Sequence, residues 1–192
     1  MSADEGTGVH RRGAVVEATV LDATIALLVE RGAAIAVEEV AEASGVHKTT
    51  IYRRYPTREL LIAAAIRRLG EAAVPPVVDA DPRAAVGQLA LSVAAALRSP
   101  RGGNILRAVM AASAASPDLI ALADEFFRDR YALATEHLER LAEAGVLRTD
   151  VDPVVVWEQI VNPMHVRALC GRATSDAEAE GLVALALRGA AA

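Results

Sequence analysis

Apolar residues recur at helical spacing along most of this chain, and no stretch alternates as a convincing strand would. Helices are expected at about 14–31, 37–44, 48–55, 58–69, 82–98, 102–114, 117–144, 153–170 and 176–188. Their ends carry local signals. Gly32, Gly45, Gly70, Gly145, Gly171 and Gly189 stand where a helix closes in a left-handed cap. Asp81-Pro82, Ser116-Pro117 and Asp152-Pro153 each set an N-cap before a proline at the first helical position. Ser175, with Glu178 three residues on, forms a capping box. The short helices precede residue 56 and the long ones follow, and the prolines of VPPVVDADP (74–82) mark a joint. The expected fold class is all-α. Residues 1–13 read as a flexible basic arm, 14–56 as a three-helix helix-turn-helix domain, and 57–192 as a larger helical domain for ligand binding and dimerisation.

The segment 37–61 holds the strongest pattern. A short helix bears Val37, Val40 and Ala41 on one face, and Ser44-Gly45-Val46 makes a tight turn. Glycine reaches positive φ without steric cost, so two helices can cross steeply there, with Val46 plugging the angle. The next helix sets Ile51 and Tyr55 four apart on its buried side. Lys48, Thr49, Tyr52 and Arg53 then face outward. Lysine and arginine donate to guanine O6 and N7, threonine meets a thymine methyl or a phosphate, and tyrosine hydroxyls reach phosphates. Thr57 is placed to cap the following helix, whose N-terminal N–H groups with Arg58 make a phosphate clamp. Arg11 and Arg12 are placed to reach a neighbouring backbone or minor groove, as basic arms do.

Charge sharpens this picture. The formal net charge is −5, and residues 71–192 alone carry 11 Arg against 16 acids. Residues 43–58 carry Lys48, Arg53, Arg54 and Arg58 and no acid. A basic spot on an acidic protein implies one confined anionic partner rather than non-specific coating of nucleic acid. Hydrophobic residues make up 53% of the chain and aromatics only 3%, so the core must be Ala, Val and Leu, which suits close-packed helices. Cys170 is the only cysteine, which leaves no intrachain disulfide and no cysteine-based zinc site; the four histidines lack metal-ligand spacing. No cofactor is implied. No apolar run approaches the ~18 residues of a membrane span, and the N-terminus has no signal-peptide core, so a cytoplasmic protein with no membrane partner is expected.

Residues 14–65 resemble the DNA-binding domain of the TetR family. The matching stretches are VLDATIALLVERGAA, VEEVAEASGVHKTTIYRRYPTRELL and the IAAA that follows, including the run Thr50-Ile51-Tyr52-Arg53-Arg54-Tyr55. The resemblance implies a dimeric transcriptional regulator, by family habit a repressor, on palindromic operator DNA. By position it implies that Lys48, Thr49, Tyr52 and Arg53 face bases, while Thr50, Arg54 and Arg58 mainly hold phosphates. Two positions depart from the family pattern. Ala36 stands where a capping Thr or Ser is usual, which removes a cap worth ~0.5–2 kcal/mol. His47 stands where Ser usually opens the recognition helix.

Residues 82–189 resemble the C-terminal domain of one subgroup of that family, more loosely. Helices 154–169 and 181–189 are apolar nearly all round, so both faces must be buried. One face is expected on its own domain and the other on a twin subunit, since the family pairs these two helices with their twins. Pro163 is expected to interrupt its helix and, with Asn162, Met164 and His165, to form a polar notch. Met110, Phe127, Tyr131, Trp157 and His165 are candidates to contact a small apolar effector of unknown identity. An enzyme is disfavoured: there is no Ser/His/Asp set, phosphate loop or metal cluster, and Asp124, Glu125 and Asp129 read as solvated acids. A helical dimer that has lost DNA binding would carry an acidic recognition helix, and this one is basic.

Overall fold

The structure, a computed structural model, describes residues 5–32, 34–70, 81–115 and 117–192, with side chains from Gly13 onward except at 70, 115, 118 and 122. The described residues are helical in the order α1 (Glu5–Arg31), α2 (Val37–Ser44), α3 (Lys48–Arg54), α4 (Arg58–Gly70), α5 (Pro82–Arg98), α6 (Pro100–Ala115), α7 (Pro117–Glu143), α8 (Pro153–Leu169) and α9 (Asp176–Gly189). The one β feature among them is an isolated antiparallel bridge between Leu147 and Ala191.

They fall into two compact units. One comprises the chain up to residue 72 with 108–124, the other 73–107 with 125–192. In the first, α1 packs on α2 and α4, and α2 packs on α3. Buried Val20, Leu21, Thr24, Leu27 and Leu28 follow the helical period of α1. They share the unit's core with Ile35, Val40, Ile51, Ile62 and Ile66. Thr24 hands its hydroxyl proton to the Val20 carbonyl at 2.7 Å, which satisfies the polar atom in that interior. Arg68 of α4 ties back to Asp22 of α1 through Nε at 2.9 Å.

In the second unit α5, α8 and α9 pack mutually around Val86, Leu89, Trp157, Ile160, Met164 and Leu187, joined by Leu138 of α7. The expected caps are in place. Asp81 accepts from Arg83 N–H at 3.1 Å, Asp152 from Val154 N–H at 2.8 Å, and Ser175 and Glu178 close a reciprocal box. Three arginines strap the α8–α9 corner: Arg98 reaches the Thr174 carbonyl (2.8 Å) and Asp176 (2.8 Å), Arg107 the Ala168 carbonyl (3.4 Å), and Arg167 the Ala173 carbonyl (3.0 Å) and Glu178 (2.6 Å).

Several sequence expectations need correction. α1 starts at Glu5, so Arg11 and Arg12 stand on its backbone and not on an arm ahead of it. Glycines at 6, 8 and 13 weaken a helix without ending one. The side chains of Arg11 and Arg12, residues 1–4 and the Ser116 cap lie outside the described residues. α4 packs on α1 and belongs by contact with the first unit, although a boundary at 56/57 was expected. α6 begins at Pro100 instead of 102, because Ser99 both ends α5 and caps α6: its Oγ donates to the Ala96 carbonyl at 2.7 Å and accepts from Gly102 N–H at 3.0 Å. Gly189 lies inside α9 and is not left-handed. α8 runs unbroken through Pro163; Asn162 and Pro163 face solvent while Met164 is fully buried, so the three form no common notch.

The tight α5–α6 corner yields a paired prediction. A Cβ at Gly102 would lie 2.1 Å from the Ala96 carbonyl oxygen, whereas one at Gly87, inside α5, meets nothing within 4 Å. Gly102→Ala should cost ~1–3 kcal/mol through forced backbone movement. Gly87→Ala should gain ~0.4–1 kcal/mol by restricting the unfolded chain. Urea unfolding at matched protein concentration reads both signs.

Candidate nucleic-acid interface

The two short helices are held by local chemistry that the chain supplies in unusual ways. Ala36 has no side-chain oxygen to cap α2. Glu39 instead reaches back to accept from the Ala36 N–H at 2.7 Å, and its other oxygen receives Arg31 Nη1 at 2.6 Å. Half a capping box thus survives, braced by the end of α1. Gly45 then turns the chain at φ 68°, and Val46 N–H donates to Ser44 Oγ at 3.2 Å. Val46 is half-buried in the angle between the helices. His47 is the N-cap of α3: its Nδ1 accepts from Thr49 N–H at 3.4 Å and lies 2.9 Å from Thr49 Oγ1. An accepting Nδ1 puts the ring proton on Nε2. The histidine therefore performs the capping role of the serine it replaces.

α3 has two faces. Ile51 and Tyr55 are buried, while Lys48, Thr49, Tyr52, Arg53 and Arg54 are exposed and Thr50 and Arg58 half-buried. Tyr52 is 40% exposed, high for a tyrosine in a folded helix. Lys48 and Arg53 have no ion-pair partner among the described residues. Thr57 caps α4 by accepting from Leu60 N–H at 3.2 Å.

The other two arginines arrive with a carboxylate. Glu17 of α1 receives Arg54 through Nε at 3.1 Å and through Nη2, and its Oε1 also accepts the Tyr55 hydroxyl at 3.1 Å. The Glu17 hydrogen bond raises the Arg54 pKa, and burial with the Glu17 charge raises that of Tyr55. Arg58 bonds Glu59 at 3.2 Å, and the Glu59 carboxyl is held below its usual range by a backbone hydrogen bond and by Arg58. Sequence reading missed both acids. Glu59 was visible as a neighbour of Arg58; Glu17, 37 residues from Arg54, carried no signal. An open groove of about 500 Å³ runs between α1 and α3, lined by Val16, Val20, Thr50 and Ile51, with the Glu17–Arg54 pair along it.

The effector candidates separate. Phe127, Tyr131 and His165 come together in the second unit, with the Phe127 ring 6.1 Å from Tyr131 and 5.5 Å from His165. Trp157 is 2% exposed and serves as core. Met110 lies in the first unit and is exposed. Burial pushes Tyr131 up to about 12, helped by the Glu158 charge, and pushes His165 down to about 4, so both are neutral near pH 7. His137, buried on α7, has no hydrogen-bond partner for either ring nitrogen among the described residues.

Comparison with known proteins covers both units. Residues 20–65 match the family model described as bacterial regulatory proteins, tetR family. Residues 79–186 match that of the tetracyclin repressor-like C-terminal domain. The HTH-type transcriptional regulator AqdR of Rhodococcus erythropolis is 28% identical over 156 residues, 81% of this chain and 75% of that protein. Among solved structures, the TetR family transcription regulator SCO0332 is 32% identical, with 92% of this chain and 99% of that one covered at a TM-score of 0.64. A TetR transcriptional regulator from Agrobacterium tumefaciens shares the fold at a TM-score of 0.74 and 24% identity, over 92% and 94% of the two chains.

The buried imidazole has a pH signature. His165 titrates near 4 in the fold and near its ordinary 6.5 when unfolded, so the unfolded chain binds more protons between these values. Its contribution is complete above about pH 6.5 and is lost as pH falls toward 4. The stability difference between wild type and His165→Gln should therefore shrink across that window in urea titrations, where a pH-independent difference would contradict the burial.

Proposed function

Because the chain belongs to the TetR family of bacterial transcriptional regulators, and is thus a DNA-binding regulator and not an enzyme, we propose that it is an effector-responsive repressor that binds palindromic operator DNA as a homodimer. The observation that carries this reading is the outward face of α3. Lys48, Thr49, Tyr52 and Arg53 stand exposed together on a helix whose opposite side is anchored by Ile51 and Tyr55. Base edges in a major groove are the surface this set of donors suits. Thr50 and Arg58 flank it as phosphate contacts. No helix among the described residues is long and apolar enough to cross a membrane.

A second stripe supports self-association. Val155, Gln159, Asn162, Val166 and Leu169 share one exposed face of α8, and Gly181, Ala184 and Leu185 one of α9. Leu185 is 64% exposed and Val166 59%, so this nearly uncharged face lacks a cover among the described residues. A matching copy buries it, and two-fold symmetry then matches two recognition helices to two half-sites. The effector reading rests on Phe127, Tyr131 and His165: an apolar ring beside the neutral phenol and imidazole suits an uncharged, largely apolar molecule.

Anisotropy titration on DNA upstream of its own gene tests the reading. Lys48→Ala and Tyr52→Ala should each weaken specific binding by ~1–3 kcal/mol, while Glu143→Ala, an exposed acid at the end of α7, should not. Leu185→Glu should yield a monomer by sedimentation and lose operator affinity; tight binding by that monomer would refute the dimer. Any effector found by thermal shift should bind less tightly when operator is present, by the same factor that it weakens DNA binding.

A further inference from the structure

Resting on the reading of α3 as the DNA-facing helix, we propose that Glu17 is a positioning residue that withholds Arg54 from DNA and leaves Arg53 as the arginine with which α3 bonds it. Consecutive helical residues point about 100° apart. Arg53 therefore shares the outward side with Lys48, Thr49 and Tyr52, while Arg54 sits on the flank toward α1. There Glu17 meets it with both carboxylate oxygens, in the paired-fork geometry that gives guanidinium its strongest partners.

The carboxylate is itself fixed. Tyr55, 8% exposed, donates its hydroxyl to Oε1 at 3.1 Å, and the Glu17 side chain is only 32% exposed. For a phosphate to take Arg54, the pair must open and a carboxylate must stand unpaired beside the negative backbone. Lys48 and Arg53 face no such penalty. The four cations of residues 43–58 thus act as fewer: Glu17 takes Arg54 with both oxygens and removes it from the count, while Arg58, which meets only one oxygen of Glu59, stays a phosphate contact. A smaller unpaired charge weakens binding to any duplex more than binding to a cognate site, because non-specific affinity is almost wholly electrostatic. Glu17 in this account sets the ratio of specific to non-specific binding.

The test is the salt dependence of binding by the full chain to a non-specific duplex of defined length, read by anisotropy between 50 and 200 mM salt. Glu17→Gln keeps the side chain's shape and its acceptor for Tyr55 but removes the negative charge that holds Arg54. It should tighten non-specific binding and steepen the slope of log K against log[salt] by about 0.9 for each Arg54 released, about 1.8 in a dimer. Adding Arg54→Ala should return the slope to that of wild type, and Glu17→Asp, which restores the charge, should do so as well. A merely structural role would move the thermal midpoint and leave the slope alone. An unchanged slope in folded Glu17→Gln overturns the proposal. So does Arg54→Ala alone, which tests it without any change at Glu17, if it lowers the slope by about 0.9 per subunit. Should Lys48→Ala and Arg53→Ala also leave duplex binding untouched, the assignment of α3 to DNA has failed with it.

Discussion

The burial of Ile51 and Tyr55 fixes the direction in which α3 presents its polar side, and the rest of the interface depends on it. A helix of seven residues has no stability of its own in water. It exists because two apolar anchors, four apart, enter the core of the first unit, because Gly45 turns the chain at positive φ, and because His47 caps its start. Rotating α3 by one residue would turn Lys48 and Arg53 away and expose Ile51. The hydroxyl of Tyr55, pinned on Glu17, fixes that rotation, and the same carboxylate fixes Arg54. Packing and charge are thus set by one contact between α1 and α3.

Much of this was legible in the residues because it is local. The steep turn follows from Ser44-Gly45-Val46, the faces of α3 from the spacing of Ile51 and Tyr55, and the starts of α5, α8 and α9 from Asp81, Asp152 and Ser175. What escaped was mostly tertiary or compensatory. Glu17 meets Arg54 only once α1 lies beside α3. Glu39 makes good the missing cap at Ala36 from three residues downstream, with Arg31 bracing it. Ser99 serves two helices at once, which pulls the start of α6 back to Pro100. Pro163 costs α8 one hydrogen bond on its solvent side, and the helix continues because its other face is anchored by Ile160, Val161 and Met164. The glycines near the N-terminus suggested an arm, yet the helix runs through them from Glu5.

The second unit applies the same economy to a different task. With few aromatics in the chain, three rings, the apolar Phe127 and the polar-edged Tyr131 and His165, gather in one cluster, and the last two stay uncharged near pH 7. Arg98, Arg107 and Arg167 spend their donors on backbone carbonyls around the α8–α9 corner, which holds those helices in register and leaves their outer apolar stripe facing solvent. On the proposed function, a ligand that shifts this unit would act on DNA only by preferring a conformation in which the two recognition helices of a dimer are wrongly spaced.

Hydroxyl-radical footprinting of the full chain on the DNA upstream of its own gene tests the central claim most directly, because it reads where α3 sits and how many copies bind. The account predicts protected patches on two half-sites separated by about one helical turn, 10–10.5 base pairs, or a multiple of it. It also predicts that Lys48→Ala needs at least about fivefold more protein for the same protection. Protection spread evenly along the duplex, or paired patches that appear at the same protein concentration in Lys48→Ala as in the wild type, would contradict it.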